Sequence, residues 1–316
     1  MARPARYSPA MITACAETFP LRNPFTISRG SKTEARVVTA AVTRNGHRGW
    51  GEGLPYPRYG ETVEEAVAAI GALPEGISRA VLQDAMKPGA ARNAVDCALW
   101  DLEAKASGRP VWQLAGLAAP KPVEIAFTLS LDTPEKMREA AARNAHRALL
   151  KLKLGTPADM PRIEAVRQGA PGVRLIVDAN EGWTPEVYTD LAPHLIRLGV
   201  EMVEQPLPQG ADGMLAEIAR PLPVCADESA HDAASLPGLL GKYDVVNLKL
   251  DKTGGLTEAL RARGEGRRLG PRVRGGWPAT RCTAPMSPAS TGQSVLAVTL
   301  CMVLTSTPDS SSTWVD

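Results

Sequence analysis

Charged residues recur at regular intervals inside apolar segments of this chain. They are Lys151 and Lys153 in Lys-Leu-Lys, Asp178 in Val-Asp-Ala-Asn, Glu204 in Val-Glu-Gln-Pro, Asp227 in Ala-Asp-Glu-Ser and Lys249 in Asn-Leu-Lys-Leu. From Lys153 onward the intervals are 25, 26, 23 and 22 residues, each the length of one strand and one helix. A buried parallel strand is normally apolar throughout, so these charges indicate chemistry rather than packing.

Three of these residues are carboxylic acids, and they are predicted to meet at one edge of a sheet. Three carboxylates this close cannot all remain ionised without a compensating cation. An all-oxygen set formed by Asp178, Glu204 and Asp227 suits a hard ion, so we expect Mg²⁺, with Mn²⁺ as second choice. No Cys/His cluster offers a zinc site. The alternative, that the acids are merely solvated strand ends, fits a single acid better than three at equal spacing.

The lysines suggest proton transfer. Lys151 and Lys153 are two apart on a strand and point to the same side. Their repulsion is predicted to lower the pKa of the more buried amine, which could then act as a base. Lys249 comes four strand–helix units later and should reach the site from the opposite side. A metal between two lysines suits removal of a proton α to a carboxylate, with the metal taking the charge of the enediolate. A simple salt bridge to an acid is the alternative for Lys249.

The elements that must position these residues follow from the pattern of apolar segments. Strand and helix alternate six times after about residue 122, which predicts a parallel sheet with right-handed crossovers. The predicted strands are 123–131, 148–154, 173–179, 200–205, 224–228 and 245–250. The predicted helices are 134–146, 157–168, 185–198, 212–218, 232–240 and 256–268. An open sheet and a closed barrel both satisfy this order, but charges at equal levels on successive strands favour the mouth of a barrel.

The N-terminal part of the chain has a different pattern. Residues 11–19 and 36–43 alternate as paired strands would, Asn45-Gly46 predicts a hairpin turn, and residues 62–73 and 90–107 have helical periodicity. The glycines of Gly51-Glu-Gly-Leu-Pro suggest a nucleotide-binding loop, but prolines follow instead of a helix, so that interpretation fails.

Composition limits the possible functions. The chain has 316 residues, 44% hydrophobic and 22% charged, with 36 basic and 34 acidic side chains. A net charge of +2 argues against general nucleic-acid binding. The longest apolar run, 295–304, is about half of what a membrane span needs. Five cysteines without a CxxC pair predict a reduced, cytoplasmic protein with ordinary buried thiols. The proton-transfer site described above predicts a small-molecule substrate. Assembly into a homo-oligomer stays open.

In combination these motifs resemble the enolase superfamily, specifically its muconate-lactonizing subgroup. The resemblance covers roughly residues 11–265 and implies an α+β capping domain at 1–118 and a modified (β/α)₇β TIM-like barrel at 119–316. It implies metal binding by Asp178, Glu204 and Asp227, and acid/base catalysis by the paired Lys153 and Lys249. Lys151 would lie near the metal and the substrate carboxylate.

Within that subgroup the chain is most similar to dipeptide epimerases of the L-Ala-D/L-Glu type. Segment 24–30, with Arg29, resembles their capping loop, in which the arginine meets the terminal carboxylate of the substrate. Segment 51–61 is similar to their second lid loop, and Thr128 falls where they contact substrate. The alternatives are a cycloisomerase, an N-acylamino-acid racemase, an o-succinylbenzoate synthase, or a catalytically silent homologue.

The C-terminal part departs from this resemblance. No acidic residue occurs between Glu265 and Asp309, although dipeptide epimerases are expected to carry an Asp-x-Asp in the eighth strand for the substrate ammonium. A shift of reading frame in the gene is one hypothesis for this change. We expect a seventh strand near 272–275 and irregular packing beyond about 270, or an apolar strand within 295–306 that fills the gap.

Overall fold

A computed structural model describes residues 11–122, 124–269, 273–280 and 299–304. The N-terminal part is an antiparallel sheet in the order β1(Met11–Ile27), β2(Gly30–Arg44), β3(His47–Gly53). The hairpin turn at Asn45-Gly46 is confirmed: both residues have positive φ, 50° and 79°, as a two-residue turn between twisted strands requires.

Helices cover one face of this sheet. They are α1(Val63–Gly71), α2(Arg79–Ala85), α3(Ala90–Ser107) and α4(Val111–Leu114). Helix α3 lies directly on β3, where the glycines of the rejected nucleotide loop have a packing role. A Cβ at Gly51 would lie 2.0 Å from the carbonyl oxygen of Ala94, and one at Gly53 would lie 2.1 Å from that of Ala90. Only glycine allows this close approach of strand and helix.

The second part confirms the predicted parallel sheet. Its six parallel strands are β4(Ala126–Leu129), β5(Leu149–Lys153), β6(Arg174–Asp178), β7(Val200–Glu204), β8(Val224–Ala226) and β9(Val245–Lys249). They lie side by side in chain order, as consecutive right-handed crossovers produce. This is the strand arrangement of a TIM-like barrel, with the modified sheet edge described below.

The two faces of this sheet have different roles because side chains alternate along a strand. Outward residues such as Leu150, Val177 and Leu248 pack against the surrounding helices in the main core. Inward residues near the start of the strands form a small apolar layer: Ala126, Leu149, Ile176, Met202, Cys225 and Val245. Two residues further along each strand, the inward side chains are polar. The polar residues of the site therefore lie next to an apolar layer formed by the same strands.

The connections differ in part from the sequence prediction. Helices α5(Pro134–Arg143), α6(Met160–Gly169), α7(Pro185–Arg197) and α9(Leu256–Arg268) occur as predicted, and a single turn, α8(Leu250–Thr253), precedes α9. The helices predicted at 212–218 and 232–240 are wrong, because both segments are 3₁₀ turns, Gly213–Ala216 and Ala233–Leu239. Pro237 inside the second one disfavours an α-helix there. No helix of the described residues is long and apolar enough to cross a membrane.

Two further strands complete the sheet. β10(Val273–Thr280) begins where the seventh strand is expected, but β11(Thr299–Leu304) lies between β9 and β10 and is antiparallel to both. The atypical C-terminal strands are thus confirmed, and an apolar strand within 295–306 does pair with β9. The described strands leave β4 and β10 at the two ends of the sheet. Expectations for 281–298 and 305–316 lie outside the described residues.

Candidate active site

Strand register aligns the charged residues in one row. Lys153 is paired with Asp178, and Asp178 with Glu204, across β5, β6 and β7. Asp227 directly follows β8, and Lys249 is the last residue of β9. Thr128 pairs with Lys151, two residues before Lys153 along the strand. The regular intervals in the sequence therefore correspond to a common level at the carboxyl ends of the strands.

The three carboxylates converge. One oxygen each from Asp178, Glu204 and Asp227 lies within 4.8 Å of the others, and all three side chains are buried. A buried all-oxygen donor set with no thiolate or imidazole fits a hard divalent cation such as Mg²⁺ better than zinc. These oxygen donors therefore fit Mg²⁺, the cation that the sequence predicts.

Lysines flank this triad on both sides. Lys153 Nζ donates to Asp178 Oδ2 at 2.6 Å, and Lys249 Nζ donates to Asp227 Oδ2. Three strands separate the two lysines in the sheet, and Glu204 lies between their partners. Lys151 Nζ bridges Asp178 at 2.9 Å and Glu204 at 2.6 Å. The structure therefore brings together all six charged residues of the sequence prediction.

Burial and charge compete in setting the pKa values of these groups. Burial raises the pKa of Asp178, but Lys151 and Lys153 outweigh it and hold that pKa below its ordinary value. Burial and the neighbouring Asp178 raise the pKa of Glu204. Burial disfavours charge on Lys151, yet the nearby carboxylates raise its pKa well above the ordinary value. The pKa of Lys151 thus rises because Asp178, Glu204 and Asp227 together outweigh its burial.

Three buried polar residues at the site were not singled out from the sequence. Lys252 Nζ donates to Asp227 Oδ1 at 2.7 Å, and Asn247 Nδ2 donates to Glu204 Oε1 at 3.1 Å. Glu228 is adjacent to Asp227, and burial together with Asp227 raises its pKa to about 7. Asn247 precedes Lys249 by two residues, so strand alternation could have identified it. Lys252 lies in a helical turn, where alternation carries no signal.

Arg29 reaches the site from the other domain. It lies in the turn between β1 and β2, and its guanidinium donates to Glu228 at 2.8 Å, to the Asn180 carbonyl at 2.8 Å and to Glu181 at 3.1 Å. The cap therefore places a cation over the carboxyl ends of the strands. This agrees with a lid position for the segment that contains Arg29.

The second predicted lid segment lies at the same mouth. Arg58 pairs with Glu181 at 2.5 Å, and the ring of Tyr59 packs edge-on against His231 with centroids 5.5 Å apart. Burial and the negative charges of Asp227 and Glu228 raise the pKa of Tyr59 above its ordinary value. An arginine and an aromatic ring of this segment thus border the carboxylate site.

An antiparallel α+β cap, a parallel barrel-type sheet and an acid triad between lysines at the strand ends define a class of two-domain enzymes that abstract protons beside carboxylates. The N-terminal domain of mandelate racemase / muconate lactonizing enzymes matches residues 10–116, and an enolase C-terminal domain-like model matches residues 110–295. The chain belongs to this enolase-type family, which confirms the sequence-based resemblance.

Individual relatives support the same grouping. The L-Ala-D/L-Glu epimerase of Escherichia coli (strain K12) is 44% identical over 80% of this chain and 81% of its own length. An Agrobacterium tumefaciens enolase family member with homology to dipeptide epimerases, solved with sodium and L-Ala-L-Glu, is 48% identical with a TM-score of 0.80 over 83% of this chain and 82% of its own. A dipeptide epimerase from Cytophaga hutchinsonii, solved with Mg and D-Ala-L-Val, is 26% identical with a TM-score of 0.76 over 83% and 77%.

Proposed function

We propose that this protein is a Mg²⁺-dependent epimerase of dipeptides of the L-Ala-D/L-Glu type. The observation that carries the proposal is the pair of lysines, Lys153 and Lys249, on opposite flanks of the carboxylate triad. Epimerisation needs a proton donor and a proton acceptor on opposite faces of one carbon, and this pair supplies both. The relatives named above act on or bind dipeptides, which supports that substrate class.

The chain's own residues suggest how the reaction proceeds. The neutral amine of one lysine takes the α-proton, and the electron pair of the broken C–H bond moves toward the substrate carboxylate. The ammonium of the other lysine then donates a proton to the opposite face, which inverts the carbon. Each lysine acts as base for one epimer and as acid for the other.

Metal and cap residues have separate roles in this proposal. Asp178, Glu204 and Asp227 would hold Mg²⁺, which when bound stabilises negative charge on the substrate carboxylate. Arg29 would bind the terminal carboxylate of the dipeptide from its position in the cap. Thr128 and Lys151, paired in register at the mouth, would contact the substrate near the reacting centre.

A setting in the cell follows from this activity. We infer a cytoplasmic role in the recycling of cell-wall peptides. The small-molecule substrate requires neither nucleic acid nor membrane.

Exchange of the α-proton with solvent tests the proposal. The full chain is incubated in D₂O with Mg²⁺ and L-Ala-L-Glu, L-Ala-D-Glu or an N-acylamino acid, and the α-proton signals are followed by NMR. We expect slow exchange and inversion at one α-carbon of the dipeptides, abolished when a chelator removes the metal. Turnover confined to the N-acylamino acid would instead assign the racemase alternative, and no exchange in any compound would contradict enzymatic function.

A further inference from the structure

Gln205 occupies an unusual position directly after the carboxylate Glu204. Its side chain is fully buried, and its φ of 36° lies in the left-handed region, which residues other than glycine rarely adopt. Such backbone conformations persist where surrounding contacts impose them, and they concentrate at functional sites. The contacts of Gln205 therefore bear on the site itself.

The side-chain amide connects Glu204 to the segment that carries Asp227. Oε1 accepts the backbone N–H of Asp227 at 2.9 Å and that of Ser229 at 3.1 Å. Nε2 faces three acceptors, the carbonyl of Leu207, the hydroxyl of Ser229 and the hydroxyl of Tyr243, at 2.8–2.9 Å. A flipped amide would turn its NH₂ group against two N–H donors, so only one orientation satisfies these partners.

The backbone of Gln205 binds the segments on both sides. Its N–H donates to the carbonyl of Cys225 at 2.8 Å, and its carbonyl accepts the N–H of Glu181 at 2.8 Å. Cys225 lies two residues before Asp227, and Glu181 lies three residues after Asp178. One residue therefore contacts all three segments that carry the carboxylates.

A second layer holds the amide in place. Asp212 accepts from the Ser229 hydroxyl at 2.6 Å and from the Tyr243 hydroxyl at 2.7 Å, and its other oxygen accepts from Lys242 at 2.7 Å. With their protons directed to Asp212, both hydroxyls present lone pairs to Nε2 of Gln205. The network is closed and charge-compensated, which makes it rigid.

We infer that Gln205 is a positioning residue that keeps the three carboxylates in the geometry required for cation binding. The inference rests on the proposed function, because it assumes that the triad binds a divalent cation. Without the amide, the N–H of Asp227 loses its acceptor and the turn after β8 can shift relative to Glu204. Carboxylates that must be gathered at the moment of binding hold a cation more weakly than carboxylates already in place.

Titration with Mn²⁺ alone tests the inference without recourse to activity. Wild type is compared with Gln205→Met, which keeps the length but removes both polar atoms, and with Tyr243→Phe, which removes one hydroxyl of the network. Tyr188→Phe is the matched control, since its buried hydroxyl has no hydrogen-bond partner among the described residues. Leu195→Ala, a truncation in the outer core, controls for lost stability. Melting without metal establishes that each variant is folded.

We expect Gln205→Met to weaken Mn²⁺ binding by about tenfold or more, as loss of an outer-shell partner does, and Tyr243→Phe to weaken it less. Tyr188→Phe and Leu195→Ala should bind as wild type does. Wild-type affinity in folded Gln205→Met overturns the inference. If that variant does not fold, Tyr243→Phe decides, and affinity equal to that of Tyr188→Phe overturns it. Absence of Mn²⁺ binding by wild type overturns the proposed metal site together with this inference.

Discussion

Arg29 in the cap donates a 2.8 Å hydrogen bond to Glu228, a residue 199 positions later in the chain that adjoins Asp227. This contact joins the two domains at the mouth of the sheet. Because Glu228 is buried and Arg29 is partly exposed, the guanidinium covers the carboxylates from the solvent side. We propose that an anionic substrate group meets Arg29 on this side.

Replacement of Arg29 tests its proposed role in binding. Arg29→Gln should raise KM for L-Ala-L-Glu by about tenfold or more, because a charge-assisted hydrogen bond to the substrate carboxylate is lost. kcat should change less. Arg36→Gln is the control, since Arg36 pairs with Glu64 on the surface of the cap. Steady-state kinetics with equal KM values for both variants would exclude Arg29 from substrate binding.

Asp227→Asn tests the metal site. Loss of one charged ligand should weaken Mn²⁺ binding more than the roughly 10–100-fold typical of an outer-shell change. Folding should be altered less than metal binding, because asparagine keeps one oxygen that can accept from Lys252, although its NH₂ group then faces Lys249. Calorimetric titration measures the affinity, and the exposed Asp190→Asn is the control. An unchanged affinity would remove Asp227 from the ligand set.

Replacement of either lysine should reduce epimerisation, but the two variants should differ in the epimer whose α-proton they still exchange. Lys153→Ala and Lys249→Ala should each reduce epimerisation by about 10²–10⁴-fold, the usual contribution of a general acid or base. Each variant should still exchange the α-proton of the one epimer whose base remains. Lys105→Ala, which removes a surface lysine paired with Asp101, is the control. Near-normal epimerisation by either variant would contradict the two-base assignment.

Asp251 predicts a pH dependence of stability at the junction of cap and barrel. It accepts from Asn93 at 2.7 Å and from the N–H of Leu54 at 3.1 Å, while burial raises its pKa to about 6. Between pH 4 and 6 the folded state retains a proton that the unfolded chain has lost. Stability should therefore fall as pH rises through this range, by about 1–2 kcal/mol given its partial exposure.

Asp251→Asn removes this titration but keeps an oxygen for both donors. Urea unfolding at several pH values should show that the difference in stability between wild type and the variant changes between pH 4 and 6 and is constant above pH 6. Asp190→Asn is the control, and the difference in stability between wild type and this variant should not vary with pH. A pH-independent difference for Asp251→Asn would assign the junction's stability to other groups.

The C-terminal sequence predicts weak turnover. Because residues 266–308 contain no acidic residue, no Asp-x-Asp is available there to bind the substrate ammonium. We expect dipeptide epimerisation by this chain to be slow while Mn²⁺ binding is retained. Kinetics with the full chain measure this directly, and hydrogen exchange across 270–316 tests whether protection is confined to 295–306. Rapid dipeptide turnover would contradict the prediction.

The register of the site could be derived from the sequence because it depends on local periodicity. Side chains alternate along a strand, and a strand–helix unit has a nearly constant length, so equal intervals imply equal levels. Asp178, Glu204 and Lys249 were identified in this way, as were the hairpin at Asn45-Gly46 and helix α3. The two 3₁₀ turns were missed because short apolar segments do not distinguish them from α-helices.

The tertiary structure decided what depends on contacts between distant segments. Electrostatic balance is one example: Lys151 Nζ lies 2.9 Å from Asp178 and 2.6 Å from Glu204, and these carboxylates raise its pKa despite its burial. The bond from Arg29 to Glu228 is another, since the position of the cap over the barrel follows from packing between domains. Local spacing determines which residues lie at the same level of the sheet. Electrostatic balance, burial and contacts between domains depend on residues that are distant in the sequence, so only the folded structure reveals them.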